Sequence, residues 1–207
     1  WKKVLESVFG HMTGHYLALL SESGEEIQAG LPVYHVRSRI LGDRLVSIPY
    51  ATLCDPLVSN RGQFDALFAE ALDLAKSLGA ESIEIRSLYS SGLVRSEQLR
   101  EDDSFMMHSL DLTKGLDGLW EGFHKSATRK SIRQAHDRGV CLREVRDEEG
   151  LRCFFDLHRA SRKRHGLPLH PYRFFAALWD AFSTDGRLQI LLAERDQTPL
   201  GMLLLMK

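Results

Sequence analysis

The two ends of the chain carry the same local pattern, and this repetition constrains the fold more than any other feature. Residues 19–31 have the pattern of a strand, an acidic turn and a second strand that contains Gly30. Residues 191–202 repeat this plan, with Gly201 in the second strand. A predicted helix precedes each copy. The copies lie about 170 residues apart, which is typical of a duplicated domain and too long for a solenoid repeat.

Two hairpins with Gly or Asp turns also resemble each other by chance, so that alternative stays open for a single pair. The last apolar segment, residues 200–206, predicts a strand whose edge needs a partner. We therefore expect that the second copy is incomplete within these residues, or that other residues complete it.

Strands and helices alternate between the two hairpins. Apolar residues at helical spacing predict a helix over residues 64–78, which Gly79 ends. Further short strands are predicted at residues 45–48, 83–85 and 106–112. A strand meander, a helix and more strands indicate a mixed α/β (α+β) fold with a mixed central sheet.

The second half of the chain is richer in helices. Ser126 is a candidate N-cap for a helix that reaches about His136, and Asp147 is a candidate N-cap for the next one. Pro171 is placed to open a third helix over residues 172–182. We predict two domains, residues 1–112 and residues 113–207.

The overall composition is that of an ordinary globular protein. Of the 207 residues, 43% are apolar and 27% are charged, which excludes a disordered chain. No apolar run approaches the roughly 20 residues that cross a bilayer, and the first residues lack a secretory signal pattern. Three cysteines without CxxC or zinc spacing predict no metal site. We expect a cytoplasmic protein with free thiols.

Charge is distributed unevenly along the chain, although the net charge is only −1. Residues 1–123 carry −7, residues 124–166 carry +6, and the remainder is neutral. A basic middle beside an acidic first half indicates a local anionic partner. The alternative is that these basic residues only form a solvated helical surface, which would give the same number of charges.

Three basic residues recur at every fourth position of the basic segment. A regular helix places Lys125, Arg129 and Arg133 on one face. Because Arg binds phosphate or carboxylate through two parallel hydrogen bonds, we predict that these residues bind an anionic acceptor. The alternative is a solvated face in which Arg133 pairs with Asp137.

Several motifs occur in an order that is characteristic of one protein family. Residues 129–135 have the pattern R-x-x-I-R-x-A, and residues 164–168 have the pattern R-x-G-x-P. The segments that match are residues 25–36 and 41–50, residues 116–135 and 137–140, residues 164–168 and Phe174-Phe175. This ordered set resembles the FemAB-like proteins, and more closely those associated with exopolysaccharide production and protein sorting.

The resemblance implies two tandem domains of the GCN5-related N-acyltransferase (GNAT) fold, the second of them incomplete here. It implies acyl or aminoacyl transfer to an amine of a cell-envelope, peptidoglycan or exopolysaccharide precursor, without a covalent intermediate. The acceptor is then a small anionic molecule or a lipid-linked one, and aminoacyl-tRNA is one candidate donor. Arg164 and Tyr172 would border the acceptor cleft. The resemblance assigns no catalytic residue among these 207.

Coenzyme A is not expected as a cofactor of the first domain. The Q/R-x-x-G-x-G/A loop, whose backbone N–H groups hold pyrophosphate, does not occur in the sequence. Two other functions stay open. One is a non-catalytic binding or scaffold domain of the same fold. The other is an RNA-binding module that uses the basic helices, although no nucleic-acid-binding motif accompanies them.

Overall fold

A computed structural model describes residues 1–40, 42–102 and 106–207. The chain divides into two compact units, Trp1–Asp102 and Asp103–Lys207. Each unit has a sheet of its own, of four strands in unit 1 and three in unit 2.

Unit 1 is built on a mixed sheet. Its helices are α1 (Lys2–Val8) and α2 (Arg61–Leu78). Its strands are β1 (Met12–Leu20), β2 (Ile27–Val36), β3 (Arg44–Val46) and β4 (Ser82–Glu84). The strand order is β1-β2-β3-β4, with antiparallel pairing except between β3 and β4. These last two strands are parallel because α2 connects them as a crossover helix.

The core of unit 1 lies between α2 and one face of this sheet. It consists of Ala29, Leu31, Val33, Leu45, Leu67, Ala71 and Ala75. The Asn60 side chain caps α2 by accepting a hydrogen bond from the backbone N–H of Gln63 at 3.0 Å. Gly79 ends the helix with a φ of 68°, as its position in the sequence predicts.

Unit 2 combines helices with an antiparallel sheet. A short 3-10 turn (Leu112–Lys114) precedes α3 (Gly115–Gly122), and a π-helical turn (Lys125–Arg129) leads into α4 (Lys130–Asp137). The longer helices are α5 (Glu148–Arg164) and α6 (Tyr172–Phe182). The strands are β5 (Cys141–Glu144), β6 (Leu188–Arg195) and β7 (Thr198–Met206), in the order β5-β6-β7.

The core of unit 2 lies where α5 and α6 meet β6. It includes Leu151, Phe154, Phe174, Phe175, Leu178, Leu188, Ile190 and Leu192. Asp147 caps α5 as predicted, since its carboxylate accepts a hydrogen bond from the Gly150 N–H at 2.8 Å. Pro171 directly precedes α6, also as predicted. The mixed α/β fold class is therefore confirmed.

Two local predictions are wrong. Residues 106–111 form no strand, and Leu112 starts the 3-10 turn. Met106 is 87% exposed there, and alternating apolar residues form a strand only beside another strand that completes their hydrogen bonds. Ser126 does not cap a helix. It lies inside the π-helical turn, with its hydroxyl 3.3 Å from Nδ1 of His124.

The hairpins of the two units share their internal arrangement. Ala18 pairs with Gly30 across β1 and β2, and Ala193 pairs with Gly201 across β6 and β7. In each hairpin the register shifts close to that alanine, toward the turn. A helix precedes both hairpins. These parallels support the predicted duplication, which stays a prediction together with its boundary at residue 112.

Candidate substrate-binding site

Arg129 is anchored to the end of α3. Its Nε donates a hydrogen bond to the carbonyl oxygen of Phe123 at 2.8 Å, and its Nη2 donates to the carbonyl oxygen of Glu121. The last carbonyl groups of a helix lack partners within the helix, and a nearby guanidinium satisfies them. Arg129 therefore joins α3 to the π-helical turn, and three of its five N–H groups remain for a ligand.

Trp120 brings the two predicted arginines together. The guanidinium carbon of Arg133 lies 5.5 Å from the centre of the Trp120 ring, and that of Arg129 lies 5.9 Å from it. Both distances are within the range of a cation–π contact. Arg129 and Arg133 thus lie on one side of the helical segment, as their spacing predicts.

The π-helical turn changes the position of the third basic residue. The Arg129 N–H bonds to the carbonyl oxygen of His124 at 3.2 Å, five residues back instead of four. A π turn advances each residue by a smaller angle than an α turn, so Lys125 departs from the regular four-residue spacing. The Lys125 side chain lies exposed on this turn.

Arg133 is more available to a ligand than Arg129. Within the described ranges, no carboxylate lies within ion-pair distance of Arg133, and Asp137 instead approaches His136 at 3.9 Å. The alternative that Arg133 is committed to Asp137 is therefore not what the structure shows. Arg133 is exposed, and the Trp120 ring orients its guanidinium.

The other two predicted site residues lie at the α5–α6 connection. Arg164 is the last residue of α5 and is exposed, whereas Tyr172 is the first residue of α6 and is half-buried. The Tyr172 ring packs edge-on against Phe155, with 5.4 Å between ring centres. Arg152 covers the same ring at 5.1 Å. No hydrogen bond, ion pair or ring contact in the described part of the chain joins Arg164 or Tyr172 to the arginines near Trp120.

A groove of about 510 Å³ runs along α5, and it was not predicted from the sequence. It is lined by Glu149, Arg152, Cys153, Asp156, Leu157 and Pro199. The helix residues recur three and four positions apart, which is the signal that marks one helix face. Pro199 comes from β7, so only the fold supplies the opposite wall. Burial raises the pKa of the Cys153 thiol, which favours its neutral form.

Two histidines pack against Phe175 of α6 and do not line the groove. The rings of His158 and His170 are 5.7 Å apart, and His158 is only 8% exposed. Burial lowers the pKa of both, and the positive charge of Arg162 lowers both further. The burial of His158 gives it a structural role in the core of unit 2.

No metal site is evident among the residues that the structure describes, because no three His, Cys, Asp or Glu side chains converge there. None of the helices in the described ranges is long and apolar enough to cross a membrane.

Comparison with known proteins identifies the fold of this chain. Residues 123–207, which contain both arginines and the whole groove, match the family described as "Acetyltransferase (GNAT) domain". A crystal structure titled "Crystal structure of FemX" superposes over 93% of the chain with a TM-score of 0.62 and 18% identity. The resemblance to FemAB-like proteins is confirmed. The chain spans half the length of that FemX structure, and no curated protein matches the chain significantly.

The motifs that carry the FemAB-like resemblance can now be placed on the elements of unit 2. The R-x-x-I-R-x-A motif lies on the π-helical turn and α4, and the R-x-G-x-P motif forms the end of α5 and the loop after it. Gly166 in that loop has a φ of 64°, which explains a glycine there. Leu41, within the first matching stretch, lies outside the described residues.

Proposed function

We propose that this protein transfers an acyl group to an amine. The match of residues 123–207 to an acetyltransferase domain carries this proposal, and the FemX-like fold over most of the chain supports it. The chain spans half the length of the FemX structure. The proposal therefore concerns the whole protein that contains these residues.

The transfer is a direct substitution at a carbonyl carbon. The amine nitrogen, after losing its proton to a base, attacks the carbonyl carbon of an ester or thioester donor. A C–N bond forms, the C–O or C–S bond breaks, and the departing oxygen or sulfur takes up a proton. The tetrahedral intermediate carries a negative oxygen that hydrogen-bond donors must stabilise. No residue of this chain is assigned as the base.

The acceptor in this proposal is anchored through an anionic group near Trp120. Arg133 supplies a guanidinium without an ion-pair partner among the described residues, and Trp120 fixes its orientation. Arg129 is held by two carbonyl oxygens, so little conformational freedom is lost when its remaining N–H groups bind a phosphate. Lys125 adds an exposed positive charge at the start of the π-helical turn.

Arg164 and Tyr172 would contact a different portion of the same acceptor. Tyr172 is fixed between Phe155 and Arg152, which makes its position well defined. The proposed substrates are nucleotide-linked or lipid-linked precursors of the cell envelope or of exopolysaccharide. The protein would bind them in the cytoplasm. Such precursors carry phosphates, and an Arg pair fits phosphate geometry.

A thermal-shift titration with nucleotide-linked peptidoglycan precursors tests the binding step. We expect a rise in melting temperature that disappears in Arg133→Ala, because a ligand that binds only the folded state stabilises it, and increasingly so as its concentration exceeds Kd. Arg138→Ala is the matched control, since it removes the same charge from the residue that follows α4. An equal loss in both variants would show that only overall charge matters.

Turnover is tested by mass spectrometry of the acceptor after incubation with acyl-coenzyme A or aminoacyl-tRNA. A mass gain of one acyl or aminoacyl group, dependent on the protein, is the expected result. Binding of the precursor without any mass gain, from either donor, would contradict the enzyme proposal and favour a binding domain.

A further inference from the structure

The segment from α3 to α4 exposes residues that helices ordinarily cover. No residue of α3, the π-helical turn or α4 is buried in the described structure. Leu116 is 86% exposed and Ile132 is 46% exposed. Helices of eight residues are marginal in water and gain most of their stability by packing an apolar face. The exposed face of this segment is therefore available to pack against the surface of another molecule.

Apolar and cationic side chains are interleaved on that face. Leu116 lies one helical turn before Trp120, so the two project from the same side of α3. The guanidinium groups of Arg129 and Arg133 lie against the Trp120 ring. Ile132 follows Arg129 by three residues, which places it about 60° from Arg129 around the helix axis, so it borders the arginines. The exposed Lys125 lies on the π-helical turn that leads into α4. We call Leu116, Trp120, Lys125, Arg129, Ile132 and Arg133 the α3–α4 face.

Acidic residues are also present at this face. Asp117 lies three residues before Trp120 on α3, and Asp137 lies four residues after Arg133 and approaches His136. Within the described ranges, neither carboxylate lies within ion-pair distance of Arg129 or Arg133. Residues 115–137 carry four Lys or Arg and three Asp or Glu, so the face is apolar with a small excess of cations.

We infer that the α3–α4 face binds the surface of an anionic lipid bilayer. Membrane-surface helices combine basic residues with Leu, Ile and Trp that enter the boundary between headgroups and acyl chains. Indole rings favour that boundary, and anionic headgroups attract Lys and Arg. Leu116 and Ile132 are the apolar contacts, Trp120 is the interfacial ring, and the three cations contact headgroup phosphates. This inference does not depend on acyl transfer.

The apolar residues distinguish a bilayer from a nucleic acid. RNA binding depends on the cations and is strengthened when bases stack on Trp120. An exposed Leu one turn away does not contribute to it. A bilayer needs both kinds of residue at once. Leu116 is therefore the diagnostic residue, and it contributes nothing to the proposed anion contacts of Arg133.

Co-sedimentation with vesicles tests the inference on the chain as it stands. We expect binding to vesicles containing phosphatidylglycerol, weak binding to pure phosphatidylcholine, and weakening with salt. Leu116→Ser should reduce partitioning about tenfold, since it removes the most exposed of the apolar side chains that would insert. Leu142→Ser, at a β5 residue that is 73% exposed, is the matched control and should leave partitioning unchanged.

Two further measurements test the contributions of the arginine charge and of the Trp120 ring to vesicle binding. Arg133→Gln should reduce partitioning about fivefold, the effect of one cation near an anionic surface. Arg138→Gln should reduce it less. In a variant with Trp1 and Trp179 replaced by Phe, the remaining Trp120 emission should shift to shorter wavelength on vesicle binding. Unchanged far-ultraviolet circular dichroism confirms that each variant is folded.

Three results would overturn the inference. The first is no partitioning onto anionic vesicles at low salt, with or without RNA binding that needs Arg133. The second is partitioning that Leu116→Ser leaves intact. The third is a dimer that becomes monomeric in Leu116→Ser without lipid, which would make the face a contact between two copies.

Discussion

The Nε atom of Arg129 donates a hydrogen bond to the carbonyl oxygen of Phe123, the residue that ends α3, across 2.8 Å. This contact makes Arg129 a structural element of the candidate site as well as a cation. A residue that sequence spacing marks as a ligand therefore also holds the ligand-bearing segment in shape.

Arg129→Ala should loosen α3 before any other element. The variant leaves two helix carbonyls without their charged donor, which costs about 1–2 kcal/mol of local stability. Hydrogen exchange should show faster exchange of the α3 amides and unchanged exchange in α2. Lys130→Ala, one residue further on, is the control. Equal protection of α3 in both variants would contradict the anchoring role.

Stability should fall as the pH falls below about 6.5, the ordinary pKa of histidine. The pKa of His158 and of His170 is lowered in the folded state by burial and by Arg162. Each therefore takes up a proton in the unfolded chain first, so its contribution is present above pH 6.5 and lost below it. Urea unfolding between pH 5 and 7.5 measures this dependence.

His158→Phe should flatten that pH dependence, because it removes one of the two titrating rings from the aromatic cluster. His136→Gln is the control, since the His136 side chain is 89% exposed. Burial also lowers the pKa of His15 in unit 1, so a dependence of the same sign remains in every variant. An unaltered slope in His158→Phe would contradict the assignment.

Gly150→Ala should destabilise the protein, although Ala is ordinarily the better helix former by about 1 kcal/mol. A Cβ at Gly150 would lie 2.9 Å from Cγ1 of Val145, and Val145 is only 2% exposed. Overpacking of this kind costs about 1–3 kcal/mol. Gly122→Ala, where a Cβ meets nothing within 4 Å, should cost nothing. Thermal unfolding of both variants gives the comparison.

Cys141 should react with iodoacetamide faster than the other two cysteines. Its thiol is exposed, whereas burial raises the pKa of Cys54 and of Cys153 and lowers their thiolate fraction. Peptide mass spectrometry after timed labelling at pH 8 measures each rate. Cys141→Ser should abolish the fast phase. Fast labelling of Cys153 would show that the α5 groove opens more than the structure indicates.

Local signals in the sequence were sufficient for much of the fold. Asp147 caps α5 through a hydrogen bond to an amide three residues away, and Gly79 ends α2 within one turn. Asp196 and Gln197 both have positive φ and form the turn of the second hairpin. The prediction failed at residues 106–112, where a strand needs a distant partner that its own residues do not specify.

Only some features of the candidate site were predictable from the sequence. Spacing placed Arg129 and Arg133 on one side, and the Trp120 ring confirms it. Spacing gave no indication that Arg129 binds backbone carbonyls, because that depends on where α3 ends relative to the π-helical turn. The π turn itself replaces a regular helix, and apolar periodicity over so few residues does not distinguish the two.

The sequence by itself determined the mixed α/β class, the caps and turns of the main helices and hairpins, and the family resemblance. These depend on residues within a few positions of one another. The tertiary structure alone decided that Pro199 of β7 closes a groove on α5, and that His158 is buried against Phe175 of α6. Those contacts join residues far apart in the chain, so they exist only when the apolar faces of α5, α6 and the sheet pack together.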